Sequence, residues 1–354
     1  MKALVLSGGT GSRLRPFTYS TAKQLLPVAN KPVLRHCLEK IRETGVSEVG
    51  IIVGDHGDQI RAAIGDGADL GLEITYIRQQ APLGLAHCIA IAAGFLGDEN
   101  FVMYLGDNIL ADGIVAAAET FRASGCDATV LVAGVPDPRA YGVAELDADG
   151  RILRLVEKPP EPKSDLAVIG VYFFTAAIHR SVAAIRPSGR GELEITDAIQ
   201  HLLDSGGTVL AEKYQGYWQD TGRPEDLLDC NRELLARLGP RIDGEIDAET
   251  SVEGSVVIEA GAKVIRSRLV GPLVVGAGSV ISDSAIGPGV AVGRECVVSG
   301  AGVTDSILLE GAAVDSVPAL RHSIIGRWAK LSAADGTRPS RLIVGDHAQA
   351  EVAT

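Results

Sequence analysis

Apolar residues in the first two thirds of the chain keep switching between two rhythms. The opening "KALVLSGG" is a short unbroken apolar run that stops at glycine, the mark of a strand buried on both faces. "VLRHCLEKIRETG" then spaces Val33, Leu34, Cys37, Leu38 and Ile41 along one helical face and closes on Gly45. The alternation continues: "EVGIIVG", "LEITYIRQ", "NFVMYLGD" and "ATVLVAGV" read as strands, and "DQIRAAIGDG", "GLAHCIAIAAGFL" and "IVAAAETFRASG" as helices. This order predicts an α/β fold, a mainly parallel Rossmann-like sheet with helices on both faces. Ligands bind such sheets at the carboxyl ends of the strands. "SGGTG" and "LGDN" both fall there.

After "CNRELLARLGPRI" the helical rhythm disappears and a third one begins. An apolar residue recurs every six positions at Ile246, Val252, Ile258, Val264 and Val270. After a four-residue step the series resumes at Val274, Val280, Ile286, Val292 and Val298. Small residues fill the gaps. That period predicts a left-handed parallel β-helix of hexapeptide repeats; a β-sandwich would place turns every ~8–12 residues with no fixed step. The predicted division is a catalytic domain over residues 1–238 and a β-helix over 246–345. The register blurs after "VTDSILLEGAAV", so residues 321–331 and 340–354 read as closing turns and a cap, with Trp328 in the cap core and His322 and His347 beyond the regular coils.

Composition narrows the function. The chain has 354 residues, 46% hydrophobic and 22% charged, enough for two packed cores. A net charge of −12 argues against a nucleic-acid or anionic-membrane binder, and 4% aromatics argue against a base-stacking surface. Five cysteines without a CxxC pair read as reduced, buried thiols of a cytoplasmic protein. The first apolar run ends after "ALVL", too short for a signal sequence, and no run approaches the ~18 residues of a membrane span.

One loop is basic in this acidic chain: "SGGTGSRLRPFTYSTAKQL", residues 7–25. Adjacent glycines let backbone N–H groups point at an anion, and Arg13 and Lys23 add fixed positive charge. A polyphosphate suits that combination. The order is neither G-x-G-x-x-G nor a Gly-Lys-Ser/Thr P-loop. Alone, the loop reads equally well as a glycine-rich turn with solvated basic residues.

Together with "AKQLLPVANKPVL", "QQAPLGLAHC", "YLGDN", "YGVAELD", "VEKPPEP", "VIGVYFF", "RGELEITDAI" and "YWQDTGRPEDLLDCN", the loop resembles the sugar-1-phosphate nucleotidylyltransferases over residues 1 to about 235. "AKQLLPV" and "RGELEITD" resemble most the glucose-1-phosphate thymidylyltransferases, and the repeat tail resembles their long form, which serves deoxysugar synthesis. Three pieces depart from the family pattern. Ala22 stands where proline is usual, His87 stands where "GLAQA" has glutamine, and "DTGRPEDL" replaces "DTGTxxSL" of the short form. Ala22 and His87 read as peripheral.

The resemblance implies attack by glucose 1-phosphate on the α-phosphorus of dTTP, giving dTDP-glucose and pyrophosphate with Mg²⁺. It assigns catalysis to Arg13, Lys23 and Asp107, and metal binding to Asp107 and Asp220. The nucleotide would be held by Leu6, Gly8, Gly9, Thr10, Gly11, Gln79, Pro82, Gly84 and Gly106, with Gln80 competing with Gln79 for the base. The sugar phosphate would be held by Gly142, Glu157, Lys158, Val168, Tyr172 and Arg190. Glu157 and Lys158 are neighbours, so on a strand they point to opposite faces and a turn before Pro159 must redirect one. Glu192 and Asp197 would orient Arg190 or cap the next helix, where Thr196–Asp197 reads as a cap. Trp218 would pack at the ribose or sugar rim. Three alternatives stand beside this: UTP or another sugar 1-phosphate as substrate, a bifunctional enzyme with an acyltransferase tail, and a non-catalytic assembly protein. The flat faces of the tail predict a homo-oligomer.

Overall fold

The computed structural model describes residues 1–147, 150–334 and 342–353. The chain forms two compact units. The first is Met1–Gly9 with Leu34–Asp220; the second is Thr10–Val33 with Thr221–Thr354. The change of rhythm near residue 240 marks where helices end. The compact units instead place the basic loop and the helix Pro224–Ala236 with the repeat tail.

The first unit is built on one large sheet in the order Glu73–Arg78, Glu48–Val53, Lys2–Ser7, Phe101–Leu105, Leu166–Phe174, Gly142–Leu146, Ile152–Glu157. The first four strands are parallel, as the alternating pattern predicts. From Leu166–Phe174 onward the pairing is antiparallel. Within that group Gly142–Leu146 and Ile152–Glu157 are joined too closely for a crossover helix, so they fold back on each other. Ala128–Gly134 also pairs with Leu166–Phe174, and Val209–Lys213 runs parallel to it.

The helix Val33–Glu43 buries all five residues of its predicted apolar face completely. Lys40 and Arg42 sit in its last turn, where cations offset the helix dipole. Strand residues Leu4, Ile52, Phe101, Met103 and Val130 join Ile89, Ile178 and Ile199 in one core. Each such side chain contributes about 1.5–3 kcal/mol of burial. No disulfide links the five cysteines, and all five are buried. Among the described residues no helix is long and apolar enough to cross a membrane.

In the second unit three parallel sheets stack into the expected β-helix. Its inward columns run Ile258, Val275, Val292, Leu308, Ile325; Val264, Ile281, Val298, Val314, Leu331; and Leu269, Ile286, Val303, Leu320. Some edges hold five residues rather than six, as from Val264 to Leu269 and from Ile281 to Ile286, so the strict six-step slips there. Val270, Val274 and Val280 therefore lie next to the inward positions Leu269, Leu273 or Val275, and Ile281. Val274 instead packs with Leu235, Val257 and Ala291. Val252 does align with Leu269, but at the open end of the stack it stays exposed.

The coils do not blur after Val314; they continue through Ile324–Ile325 and Lys330–Ala334. His322 and His347 are corner residues in the left-handed region, not residues beyond the coils. Trp328 is another such corner, with φ 57°, so its ring turns outward over Gly311 and remains 45% exposed rather than filling a cap core. Of the expected cap, residues 340, 341 and 354 lie outside the described residues. At a buried corner, Ser267, Ser284, Ser306 and Ser323 each donate to the carbonyl two residues earlier at 2.6–2.7 Å. Each then accepts a backbone N–H from the next coil. This pairs backbone groups that a tight corner would otherwise orphan.

Proline at its first turn and Glu225 and Asp226 beside it start the helix Pro224–Ala236. From its buried face Asn231 accepts from Ala29 N–H at 2.9 Å and donates to Gly289 C=O at 3.1 Å. One side chain thus joins the basic-loop segment to a β-helix corner. Asn231→Leu orphans both backbone groups and should cost about 2–4 kcal/mol. Urea unfolding of the variant should show a lower midpoint; an unchanged midpoint would contradict this role.

Candidate active site

Three neighbouring strands of the first unit end on glycine: Gly8, Gly54 and Gly106 follow Ser7, Val53 and Leu105. A Cβ on Gly54 would stand 3.1 Å from Gly8 O, and one on Gly106 would stand 2.8 Å from Ser7 Oγ and 3.1 Å from Leu6 O. Gly8 and Gly106, both predicted nucleotide residues, thus keep the strand ends open at backbone level. Leu6 is buried just below and Gly9 is exposed.

Gln79 follows the next strand, Glu73–Arg78. Its Nε2 donates to Gly84 O at 3.3 Å and lies 3.0 Å from His87 Nδ1. Its Oε1 faces Gly8, 3.2 Å from where a Cβ there would sit. Gly84 needs to be glycine twice over: its φ is 102°, and a Cβ would collide with Leu193 O at 2.3 Å. The backbone bonds Leu193 N–H to Leu83 O and Ala86 N–H to Leu193 O fix that approach. Pro82 and Gln80 are both exposed in the same loop. His87 is not peripheral. Beside it, burial pushes the Cys88 thiol up to about 12 despite the nearby Gln79 amide.

Asp107 leaves the Phe101–Leu105 strand just before a short ribbon, Asn108–Leu110 paired antiparallel with Trp218–Asp220. Asn108 faces Asp220 across it, so the two predicted metal carboxylates occupy adjacent positions at one end. Asn108, which sequence reasoning passed over, ties the corner together. Its Nδ2 donates to Asp107 Oδ1 at 2.9 Å, and its Oδ1 accepts from Trp218 Nε1 at 2.7 Å. Gly170 makes room, since a Cβ there would lie 2.8 Å from the Asn108 side chain. Burial and then the charge of Asp107 hold the Cys37 thiol well above its usual range. Two half-buried carboxylates from one ribbon fit a hard divalent cation whose shell is completed by phosphate and water. Among the described residues no larger cluster of metal-ligating side chains is present.

The predicted sugar-phosphate residues converge. Glu157 ends its strand and Lys158 turns into the left-handed region, φ 41°. That turn is the redirection the sequence demanded, and it brings Lys158 Nζ to 3.2 Å from Glu157 Oε1. Arg190 reaches the same carboxylate at 3.5 Å. Thr196 Oγ1 donates to Glu157 Oε2 at 3.3 Å, so Thr196 serves this site rather than a helix cap. The helix Ile195–Asp204 has no side-chain cap at all. A Cβ on Gly142 would stand 2.8 Å from Thr196 Cγ2 and 3.4 Å from Glu157 Oε2. Val168 borders Gly142 within the core, and Tyr172 is also core; burial and then Glu157 push its phenol up.

The residue that holds Arg190 is Glu194. It is only 4% exposed and receives Arg190 through Nε at 3.0 Å and a terminal nitrogen at 2.8 Å, with Ser188 Oγ at 2.7 Å. Glu192 adds a weaker contact at 3.3 Å. Partial burial works against the Arg190 charge, but Glu194, Glu192 and Glu157 outweigh it and raise its pKa. Asp197 does not contact Arg190 here; burial and then Glu194 raise its carboxyl. Trp218 packs edge-on against Tyr141 at 5.5 Å.

In the second unit, Arg13 is exposed on the turn Ser12–Leu14 and Lys23 is half-buried at the start of Lys23–Leu25. Gly11, φ 64°, sits where a Cβ would meet Thr18 and Lys23 at 2.9 and 3.0 Å. Thr18 Oγ1 donates to Gly11 O at 2.7 Å and closes the loop. Thr10 is exposed. Burial chiefly raises the Asp226 carboxyl, with Arg223 and Arg13 opposing it.

The family model for nucleotidyl transferases matches residues 2–237. The chain is 50% identical to a glucose-1-phosphate thymidylyltransferase of Streptomyces griseus over 355 residues, covering 100% of both. It is 51% identical to another of that name from Streptomyces antibioticus, covering 99% of each. A Bacillus anthracis structure assigned as a glucose-1-phosphate thymidylyltransferase, in complex with sucrose, superposes with a TM-score of 0.62 at 36% identity, covering 65% of this chain and 94% of that one. With a model match over most of its length and full-length relatives at half identity, the chain belongs to the nucleotidyl transferase family.

Proposed function

We propose that this protein transfers a thymidylyl group from dTTP to glucose 1-phosphate, giving dTDP-glucose and pyrophosphate for deoxysugar synthesis. The observation that carries the reading is the convergence of Gly142, Glu157, Lys158, Thr196 and Arg190, an arrangement suited to a phosphorylated sugar. The full-length relatives named for this activity support it.

A phosphate oxygen of the sugar attacks the α-phosphorus, and the bond to pyrophosphate breaks on the opposite side. Lys158 and Arg190 bind the attacking phosphate, exchanging carboxylate partners for it. Glu157, released from them, accepts from sugar hydroxyls. Glu194 stays buried and keeps the guanidinium aimed. Arg13 and Lys23 neutralise the triphosphate and the departing pyrophosphate. Gly8, Gly9, Thr10, Gly11, Gly84 and Gly106 give backbone access to the nucleotide, with Leu6 and Pro82 beside it and Gln79 reading the base. Asp107 and Asp220 would hold Mg²⁺, which when bound offsets the charge of the reacting phosphates. Buried cysteines without disulfides suit a cytoplasmic enzyme, and the stacked faces of the β-helix suit a homo-oligomer.

Pyrophosphate release with each nucleoside triphosphate and glucose 1-phosphate tests the reading. We expect turnover with dTTP, abolished by a chelator and restored by Mg²⁺; equal turnover with UTP would break the thymidylyl assignment. Asp107→Asn should lower kcat by ~100-fold or more, and full activity in that variant would remove Asp107 from the site. Glu194→Gln should raise KM for glucose 1-phosphate about tenfold, by loss of a charge-assisted pair, while KM for dTTP stays put. Equal rises in both constants would show that Glu194 acts on the fold and not on Arg190.

A further inference from the structure

The amide of Gln79 is held in one orientation. Gly84 O can only accept, so the end of the amide 3.3 Å away must be the nitrogen. The same nitrogen lies 3.0 Å from His87 Nδ1. Nδ1 must therefore be the accepting nitrogen of a neutral imidazole, with the proton on Nε2. The amide oxygen is left pointing the other way, toward Gly8. Among the described residues no hydrogen bond ends on that oxygen.

We infer that His87 is a positioning residue that sets base choice: by accepting from Gln79 Nε2 it presents Gln79 Oε1, an acceptor, to the pyrimidine. This rests on Gln79 being the base reader. Thymine and uracil carry a ring N3–H that donates to such an oxygen. Cytosine carries a bare N3, and two acceptors then face each other without a proton between them. An amide free to turn would offer its NH₂ and accommodate cytosine. The Gly84 carbonyl alone, at 3.3 Å, is the weaker of the two restraints, so the imidazole supplies most of the preference.

The test measures kcat and KM for dTTP and dCTP with the full-length enzyme, saturating glucose 1-phosphate and Mg²⁺. His87→Leu keeps the bulk but has no acceptor. His87→Asn keeps an acceptor oxygen where Nδ1 stands. In His87→Leu the dTTP-over-dCTP preference should fall about tenfold, through KM rather than kcat, matching loss of one oriented hydrogen bond. His87→Asn should recover most of that preference. An undiminished preference in His87→Leu, or no recovery in His87→Asn, would overturn the role of His87. Gln79→Leu separates the two readings. If it loses the preference while His87→Leu keeps it, only the inference about His87 falls. If it leaves the preference intact, Gln79 is not the base reader.

Discussion

The close approach of three strand ends is the constraint on which the candidate site depends. Gly8, Gly54 and Gly106 follow adjacent strands, and a side chain on Gly54 or Gly106 would run into a neighbour's backbone or hydroxyl. A parallel sheet directs its strand ends to one edge, and glycine there leaves a floor of bare backbone. The base-reading and carboxylate candidates of the first unit stand along that edge. Gln79 stands over Gly8, and Asp107 follows Gly106 directly. The same device recurs in the loop, where Gly84 lies against Leu193 and joins the Gln79 side to the segment carrying Arg190 and Glu194.

Electrostatics supply the second layer. Arg190 and Lys158 would repel each other and any positive neighbour if left bare. Instead Glu157 bridges both, and buried Glu194 grips Arg190. A buried carboxylate without a partner is costly, of the order of 3–5 kcal/mol when a pair is broken. Glu194 therefore keeps the guanidinium, whereas the partly exposed Glu157 is the acid able to exchange partners. The difference in burial divides the two acids into an anchor and a gate. Asn108 does comparable work at the carboxylate corner, linking Asp107 to Trp218.

Much of this was legible in the sequence, for physical reasons that differ by residue. The helical face from Val33 to Ile41 was readable because burial leaves a periodic trace. The need for a turn at Lys158 was readable because neighbouring strand residues face opposite ways, and the left-handed φ supplies it. Glu194, Thr196, Asn108 and His87 were misread or passed over because their partners are distant in sequence or reached through a loop. "RGELE" offers two acids to Arg190, and only burial distinguishes Glu194 from Glu192. In the tail, the six-residue rhythm was real but some edges hold five residues, as from Val264 to Leu269, so Val270, Val274 and Val280 sat one place from an inward position. Trp328 followed the rule that large aromatics are buried, yet a left-handed corner turned it outward.

At the centre of the proposed function stands a single in-line displacement at the α-phosphorus, with the sugar phosphate as the nucleophile and positive charge from fixed side chains and a divalent ion. The stereochemistry at that phosphorus tests it most directly. With dTTP made chiral by sulfur at the α-position, one displacement inverts the configuration of the dTDP-glucose product. Inversion is the predicted result; retention would mean two displacements through a covalent enzyme intermediate and would contradict the account.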